Sequence, residues 1–256
     1  MEVILNINDL QIDNLWKNLS LSIGRGTMTT IAGANHSGKT TLAKILDRKI
    51  EGKFNINLRG RDIKEYSLEE YNQLIQVVYP NEIRYTEKTP FEEMKKENIH
   101  KTKISFFRMN SFSKHLLEKE TNKLTRKERI LVQILLALGK ANDIVVLDDI
   151  DYELNKEELD DLYAFLKAYI KTFKMSIIIT TLSLEQALKT NEIYIIDDGE
   201  VLLHGDPISV LQKDNVLNKA GLEVPFMIDL SVKLRDYDLI KKIDCEKEEL
   251  IDILWK

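Results

Sequence analysis

β-prone apolar runs open the chain at residues 3–7 and 19–23, and a third at 27–32 ends in small residues. Each predicts a strand, with Gly24, Arg25 and Gly26 as the turn into the third. The period then changes, because Leu42, Ile45 and Leu46 share one stripe of a helix. Phe54, Ile56 and Leu58 alternate with polar residues, as in a half-buried strand. Ser67, followed by Leu68, Glu69 and Glu70, predicts a helix start with a capping side chain. Residues 75–79 predict a further strand, which Pro80 ends. From 81 to 122 the chain is rich in Lys, Glu and Asn, with Phe106, Phe107, Phe112, Leu116 and Leu117 at helical spacing. That texture predicts a small helical subdomain with Lys-rich stretches as its solvated face.

Residues 125–140 predict a strong helix. The run Ile144, Val145, Val146, Leu147 is continuous and apolar and ends in Asp148 and Asp149, which suits a buried parallel strand. A helix over 156–172, a strand over 175–180, a helix over 184–188 and a strand over 193–197 follow in turn. Asp198-Gly199 predicts a hairpin turn into a strand over 200–203, and Pro207 can open a helix. This alternation predicts an α/β fold with a mainly parallel, doubly wound sheet. The expected division is a nucleotide-binding unit over 1–212, with the helical subdomain inserted at about 81–140, and a helical tail over 213–256.

One stretch carries candidate chemistry. Gly33, Ala34, Asn35, His36, Ser37, Gly38, Lys39, Thr40 and Thr41 spell Gly-x4-Gly-Lys-Thr between a strand and a helix. Glycines let backbone N–H groups converge on phosphate oxygens, and the helix aims its positive end at the same anion. Lys39 reaches terminal phosphates and the Thr40 hydroxyl can ligate Mg²⁺. The competing reading is a plain glycine turn. Ligands of open α/β sheets sit at the carboxyl ends of the strands. Asp148 falls at such an end, and it is the expected Mg²⁺-side partner of the loop. A strand-end turn residue is its competing reading.

Composition narrows the classes. The 256 residues are 43% hydrophobic and 31% charged, so the chain is globular. A net charge of −5 gives no general attraction to nucleic acid or anionic membrane. The single cysteine, Cys245, excludes an intrachain disulfide and fits a reducing compartment. Glu2 and Asn6 interrupt the first apolar run, so no secretory signal is expected. The longest apolar runs, such as 130–138, are too short for a membrane span and contain Gln133. Any membrane role is expected to come through a partner.

With phosphate loop, helical insert, long helix, Leu-Asp-Asp strand and closing hairpin in this order, the chain resembles an ABC-transporter ATPase subunit. The tail narrows the resemblance: Ala220-Gly221-Leu222-Glu223-Val224-Pro225-Phe226, then residues 230–234 and 248–256, look like the C-terminal domain of the ATPases of energy-coupling factor transporters. The resemblance implies a P-loop core, an N-terminal antiparallel β subdomain, a helical subdomain and a dimerising tail. It also implies two ATPases paired head to tail, each ATP lying between one phosphate loop and the other chain's signature motif. A membrane coupling subunit would sit on the helical subdomains, a solute-binding membrane subunit would complete the importer, and the chain would lie peripherally on the cytoplasmic face of the cell membrane.

Placed on this pattern, the chain departs from it. The signature, normally Leu-Ser-Gly-Gly-Gln, falls on Leu124, Thr125, Arg126, Lys127 and Glu128. Thr125 can replace the Ser, but Arg126 and Lys127 put side chains where glycines let the backbone approach phosphate. The alternative is a helix start with Thr125 and Glu128 as a capping box. The general base, normally Glu, is Asp149, one methylene shorter, and a shift of about 1 Å can cost on the order of 100-fold in rate. The switch histidine falls on Thr181, the Q-loop glutamine on Pro80, the D-loop aspartate on Asn155, and a loop glycine on His36. The adenine-stacking aromatic falls near Ile12, with Trp16 nearby and read as core. The helical insert is also shorter than usual. Groups that hold triphosphate and metal are kept, while groups that position water and sense the terminal phosphate are replaced.

These residues lead to an ATP-binding subunit of an importer, taking ATP and Mg²⁺, with hydrolysis at its own site impaired and a second ATPase as partner, a paralogue or a second copy. A non-catalytic structural or regulatory half is the second reading. A soluble ABC protein acting on ribosomes or DNA is the third. The acidic charge, the lack of a tandem second cassette and the importer-like tail stand against that third reading.

Overall fold

The computed structural model describes residues 2–12, 16–82, 85–243 and 250–251. Cys245 and most of the 248–256 segment lie outside them. β1 (Val3–Ile12) and β2 (Trp16–Gly24) pair antiparallel and are longer than their apolar runs, because each extends through polar residues on its outer face. β3 (Met28–Ala32) is buried along its length and leads into the loop before α1 (Lys39–Leu46). β4 (Asn55–Leu58) and β5 (Arg61–Asp62) complete a four-stranded antiparallel sheet in the order β2-β1-β4-β5.

α2 (Leu68–Leu74) starts with the Ser67–Glu70 capping box and runs directly into β6 (Ile75–Val78). A helical unit follows: α3 (Pro90–Lys96), α4 (Lys101–Met109), α5 (Ser111–Leu117) and α6 (Arg126–Lys140). β7 (Ile144–Asp148), α7 (Lys156–Phe173), β8 (Ser176–Thr181), β9 (Glu192–Asp197) and β10 (Glu200–Gly205) come next. The second sheet has the order β10-β9-β3-β8-β7-β6, parallel except for the β9–β10 hairpin. Asp198 and Gly199 both adopt positive φ, which a tight hairpin turn requires. α8 (Pro207–Leu211), α9 (Asp214–Lys219) and α10 (Phe226–Asp236) close the described chain.

The continuous apolar run of β7 is explained by burial on both faces. Ile144 and Val146 join a core with α1 and the antiparallel sheet, while Val145 and Leu147 join the core beneath α6 and α7. An aromatic cluster of Phe106, Phe107, Phe165, Tyr169 and Phe173 ties the helical unit to α7. Arg59 binds buried Asp143 at 2.5 Å, joining the two sheets.

Two expectations change. The helix expected over 184–188 is a 3-10 turn, Gln186–Lys189, because the chain must enter β9 before an i→i+4 ladder can build. Lys103, read as part of a solvated Lys-rich face, is buried. It donates to the carbonyls of Leu138, Gly139 and Ala141 at 3.2, 3.0 and 2.5 Å, so it caps the end of α6, where orphan acceptors and the negative dipole end favour a cation. Burial draws its pKa down to about 8.

Candidate nucleotide-binding site

β3, β8 and β7 are neighbours, so their carboxyl ends bring the loop, Thr181 and Asp148 side by side. The register pairs Ala32 with Thr181 and Asp148 with Thr180. Gly33 donates to the Thr181 carbonyl at 3.3 Å, which pins the start of the loop to β8. A Cβ at Gly33 would collide with the Ile196 carbonyl and the Ser37 side chain. Gly38 holds φ at 102°, and a Cβ there would collide with the Trp16 indole. Trp16 is core, as read, and its ring packs against the loop. His36 also adopts a left-handed backbone, φ 68°, and is exposed.

Lys39 is buried, and its Nζ donates to the Gly33 and Ala34 carbonyls at 2.7 and 3.1 Å. Burial pulls its pKa below the ordinary value, and Asp149 and Asp148 oppose that pull. Asp148 is buried and accepts from the Thr180 hydroxyl at 2.6 Å. Burial raises its pKa, while the Thr180 and Thr40 hydroxyls and Lys39 favour its ionised form. Asp149 begins a 3-10 turn, Ile150–Glu153, in a left-handed conformation with φ 47°. Its carboxyl is also pushed up, first by burial and further by Asp148, with Lys39 opposing. A cavity of about 330 Å³ opens over this arrangement, lined by Asn35, His36, Gly38, Lys39, Thr40, Thr41 and Asp149.

Other predicted residues lie elsewhere. The Thr181 hydroxyl accepts from the Ser183 amide at 2.8 Å and does not line the cavity. Pro80 lines a separate cavity with Leu124 and Arg126. In the signature segment, Thr125 and Glu128 form the capping box of α6, Lys119 pairs with Glu128 at 2.7 Å, Arg126 pairs with Glu153, and Lys127 pairs with Glu158 at 2.8 Å. Asn155 and Glu158 form the matching box on α7. At both helix starts the box satisfies the cap amide and the third-residue amide within the chain.

Two residues escaped the sequence. Thr180 is an ordinary strand residue until register sets it opposite Asp148. Asp151 has both carboxylate oxygens buried beside the Thr181 hydroxyl, and burial pushes its pKa up to about 6. Asp149 adds to that rise and the Thr181 hydroxyl opposes it.

Among the described residues no cluster of three or more His, Cys, Asp or Glu side chains could hold a metal alone. The Thr40–Asp148 pair instead fits an ion that takes further ligands from phosphate and water, the usual habit of Mg²⁺. Among the described residues, no helix is long and apolar enough to cross a membrane.

The family model for ABC transporters matches residues 16–151, just over half the chain. The chain belongs to the ABC transporter family. Among curated relatives it is similar to the energy-coupling factor transporter ATP-binding protein EcfA1 of Ligilactobacillus salivarius (strain UCC118), 26% identical over 278 residues, covering 96% of this chain and 95% of that protein. Among solved structures it resembles CbiO1 from Clostridium perfringens, described as part of the ABC transporter complex CbiONQ. That match has a TM-score of 0.74 at 20% identity, over 90% of this chain and 99% of that one. The ADP conformation of MJ1267, an ATP-binding cassette of an ABC transporter, matches with a TM-score of 0.68 at 18% identity, over 85% of this chain and 98% of that one. The α/β architecture, with its antiparallel subdomain and mainly parallel sheet, is that of these cassettes.

Proposed function

We propose that the chain is the ATP-binding subunit of an importer of the energy-coupling factor kind, binding MgATP while hydrolysing it slowly at its own site. The observation that carries this reading is the cradle itself: buried Lys39 inside a strand–loop–helix turn, beside an Asp148 held by Thr180 and Thr40. In this reading residues 33–41 hold the phosphates, and Thr40 and Asp148 hold Mg²⁺. Bound Mg²⁺ would neutralise phosphate charge. Asp149 lines the cavity with a short side chain, and neither Thr181 nor Pro80 lines it, which supports weak hydrolysis at this site.

A second ATPase, a membrane coupling subunit and a solute-binding membrane subunit are the proposed partners, placing the chain at the cytoplasmic face of the membrane with no role for nucleic acid. The proposed division keeps residues 1–212 as the nucleotide-binding unit and 213–256 as the dimerising tail. Phe226, Tyr237 and Leu239, all exposed at or just beyond the ends of α10, suit that tail.

Calorimetric titration with ATP, with and without Mg²⁺, and steady-state ATPase of the chain alone and with its partner test the reading. MgATP is expected to bind, Lys39→Ala to abolish binding, and the chain alone to turn over slowly. Robust turnover by the isolated homodimer, lost in Lys39→Ala, would overturn the impaired-hydrolysis part. The non-catalytic half remains a second reading, supported by the ion pairs that occupy the signature segment. It predicts that Asp149→Asn changes neither turnover nor transport.

A further inference from the structure

α3 and α4 border a cavity of about 620 Å³ that shares no lining residue with the one over the phosphate loop. Phe91, Ile99 and Ile104 line it together with Lys95, Lys101 and Arg108. On α4, Lys101, Ile104 and Arg108 fall at i, i+3 and i+7, so one helical stripe carries a cation, an apolar residue and a cation in turn. On α3, Phe91 and Lys95 are i, i+4 neighbours. The Lys95 ammonium lies 4.2 Å and the Arg108 guanidinium 4.5 Å from the centre of the Phe91 ring, so one aromatic side chain holds a cation from each helix.

No carboxylate lines this cavity. Among the described residues Lys95 and Lys101 have no acidic partner. Arg108 meets Glu118 at 3.0 Å, an exposed pair of small energetic worth. The adjoining cavity of about 670 Å³ differs: it sets Asp47, Glu69 and Glu97 against Lys103 and Lys140, with Lys140 paired to Glu97 at 2.8 Å. A chain of net charge −5 thus keeps one cleft whose ionised side chains are all cations. Met109 adds an apolar rim. It is 86% exposed and lies four residues after Ser105, which lines the cavity, so it extends the same stripe into solvent.

An inorganic anion would leave Phe91, Ile104 and Met109 uncovered. An acidic helix seated in the cleft would match the cations and leave Met109 in water. A bilayer surface meets cleft and rim together, with phosphates at the cations and the acyl boundary at the methionine. We propose that the α3–α4 face rests directly on an anionic lipid surface, with Lys95, Lys101 and Arg108 taking lipid phosphates and Met109 entering the acyl boundary. This goes beyond the proposed function, which brings the membrane near only through partner subunits. Attraction of this kind fades within about 8 Å at physiological salt, so the acidic total does not cancel a local patch.

Sedimentation of the full chain, without partners, with sucrose-loaded vesicles tests this. One vesicle set is phosphatidylcholine alone, and the other mixes phosphatidylcholine with phosphatidylglycerol. The mixed set is expected to bind at least about ten-fold more tightly, with about five-fold lost for each of Lys95→Gln, Lys101→Gln and Arg108→Gln. Lys171→Gln, an exposed site on α7, is expected to change nothing. Met109→Ser is expected to weaken binding several-fold at unchanged charge, which plain charge attraction would not do. Equal binding to both vesicle sets, a loss in Lys171→Gln as large as in Lys101→Gln, or indifference to Met109→Ser would overturn the proposal. So would saturable binding of an acidic Glu/Leu amphipathic peptide by a chain that ignores both vesicle sets. ATP is absent throughout, so failure of the nucleotide reading is seen separately.

Discussion

The Thr180 hydroxyl donates to Asp148 Oδ1 at 2.6 Å, and its oxygen accepts from the Asp149 amide at 3.2 Å. One side chain on β8 thus fixes two consecutive carboxylate residues, one ending β7 and one beginning the turn after it. Thr180→Val keeps the shape and removes both bonds. Supporting hydrogen bonds of this kind govern metal affinity by about 10- to 100-fold. The expected outcome is a loss of that order in Mg²⁺-dependent ATP affinity, with Mg²⁺-free binding nearly unchanged, read by calorimetry at two Mg²⁺ concentrations.

Asp151 carries a folded-state pKa of about 6 against an ordinary value of 3.8. Between those values the folded chain binds more protons than the unfolded one, so stability falls as pH rises through that window and stays lower above it. Asp151→Asn is expected to stabilise the chain at pH 7.5 by up to about 3 kcal/mol, since each pKa unit is worth about 1.4 kcal/mol. Near pH 4 the substitution is expected to have little effect. Urea unfolding at the two pH values measures both.

Thr125 separates a cap from a ligand contact. Thr125→Ala removes the side chain that accepts from the Glu128 amide at 3.3 Å. It should cost about 1 kcal/mol of stability, the usual value of an N-cap. ATP affinity of the isolated chain is expected to stay the same, because Thr125 lies outside the loop's cavity. A melting curve and an ATP titration on the same sample check the pair.

Lys103 has its pKa drawn down to about 8 from 10.5. The unfolded chain therefore binds more protons between those values, and this residue's contribution to stability rises with pH across them. Lys103→Met is expected to remove that rise. At pH 7 it is also expected to lower stability by about 1–3 kcal/mol, because three buried carbonyls at the end of α6 lose their donor. Denaturant melts at pH 7 and pH 10 distinguish the two effects.

Periodicity and local chemistry carried much of this architecture. Thr125 and Glu128 read as a capping box from spacing alone, and the apolar run before Asp148 implied burial on both faces. The convergence of the loop with Asp148 followed from the rule that parallel strands present their carboxyl ends together. What escaped depends on register or crossing geometry. Thr180 matters because β8 aligns it with Asp148. Lys103 looks solvated in sequence and is buried only because α4 crosses the end of α6. The ion pairs of Arg126 and Lys127 join segments distant in sequence, so no local pattern announces them.

The Trp16 indole beneath Gly38 has a consequence for how the site comes into being. The ring belongs to the same apolar core as β1, β2 and α1, so the loop acquires its curvature when that core consolidates. The cradle is set before any ligand arrives, and little of a ligand's binding free energy need go into ordering it. Strand β2 and the loop are for the same reason locked at one point: a side chain at 38 would meet both the Trp16 ring and a backbone held at φ 102°, so trimming Trp16 alone would not admit it.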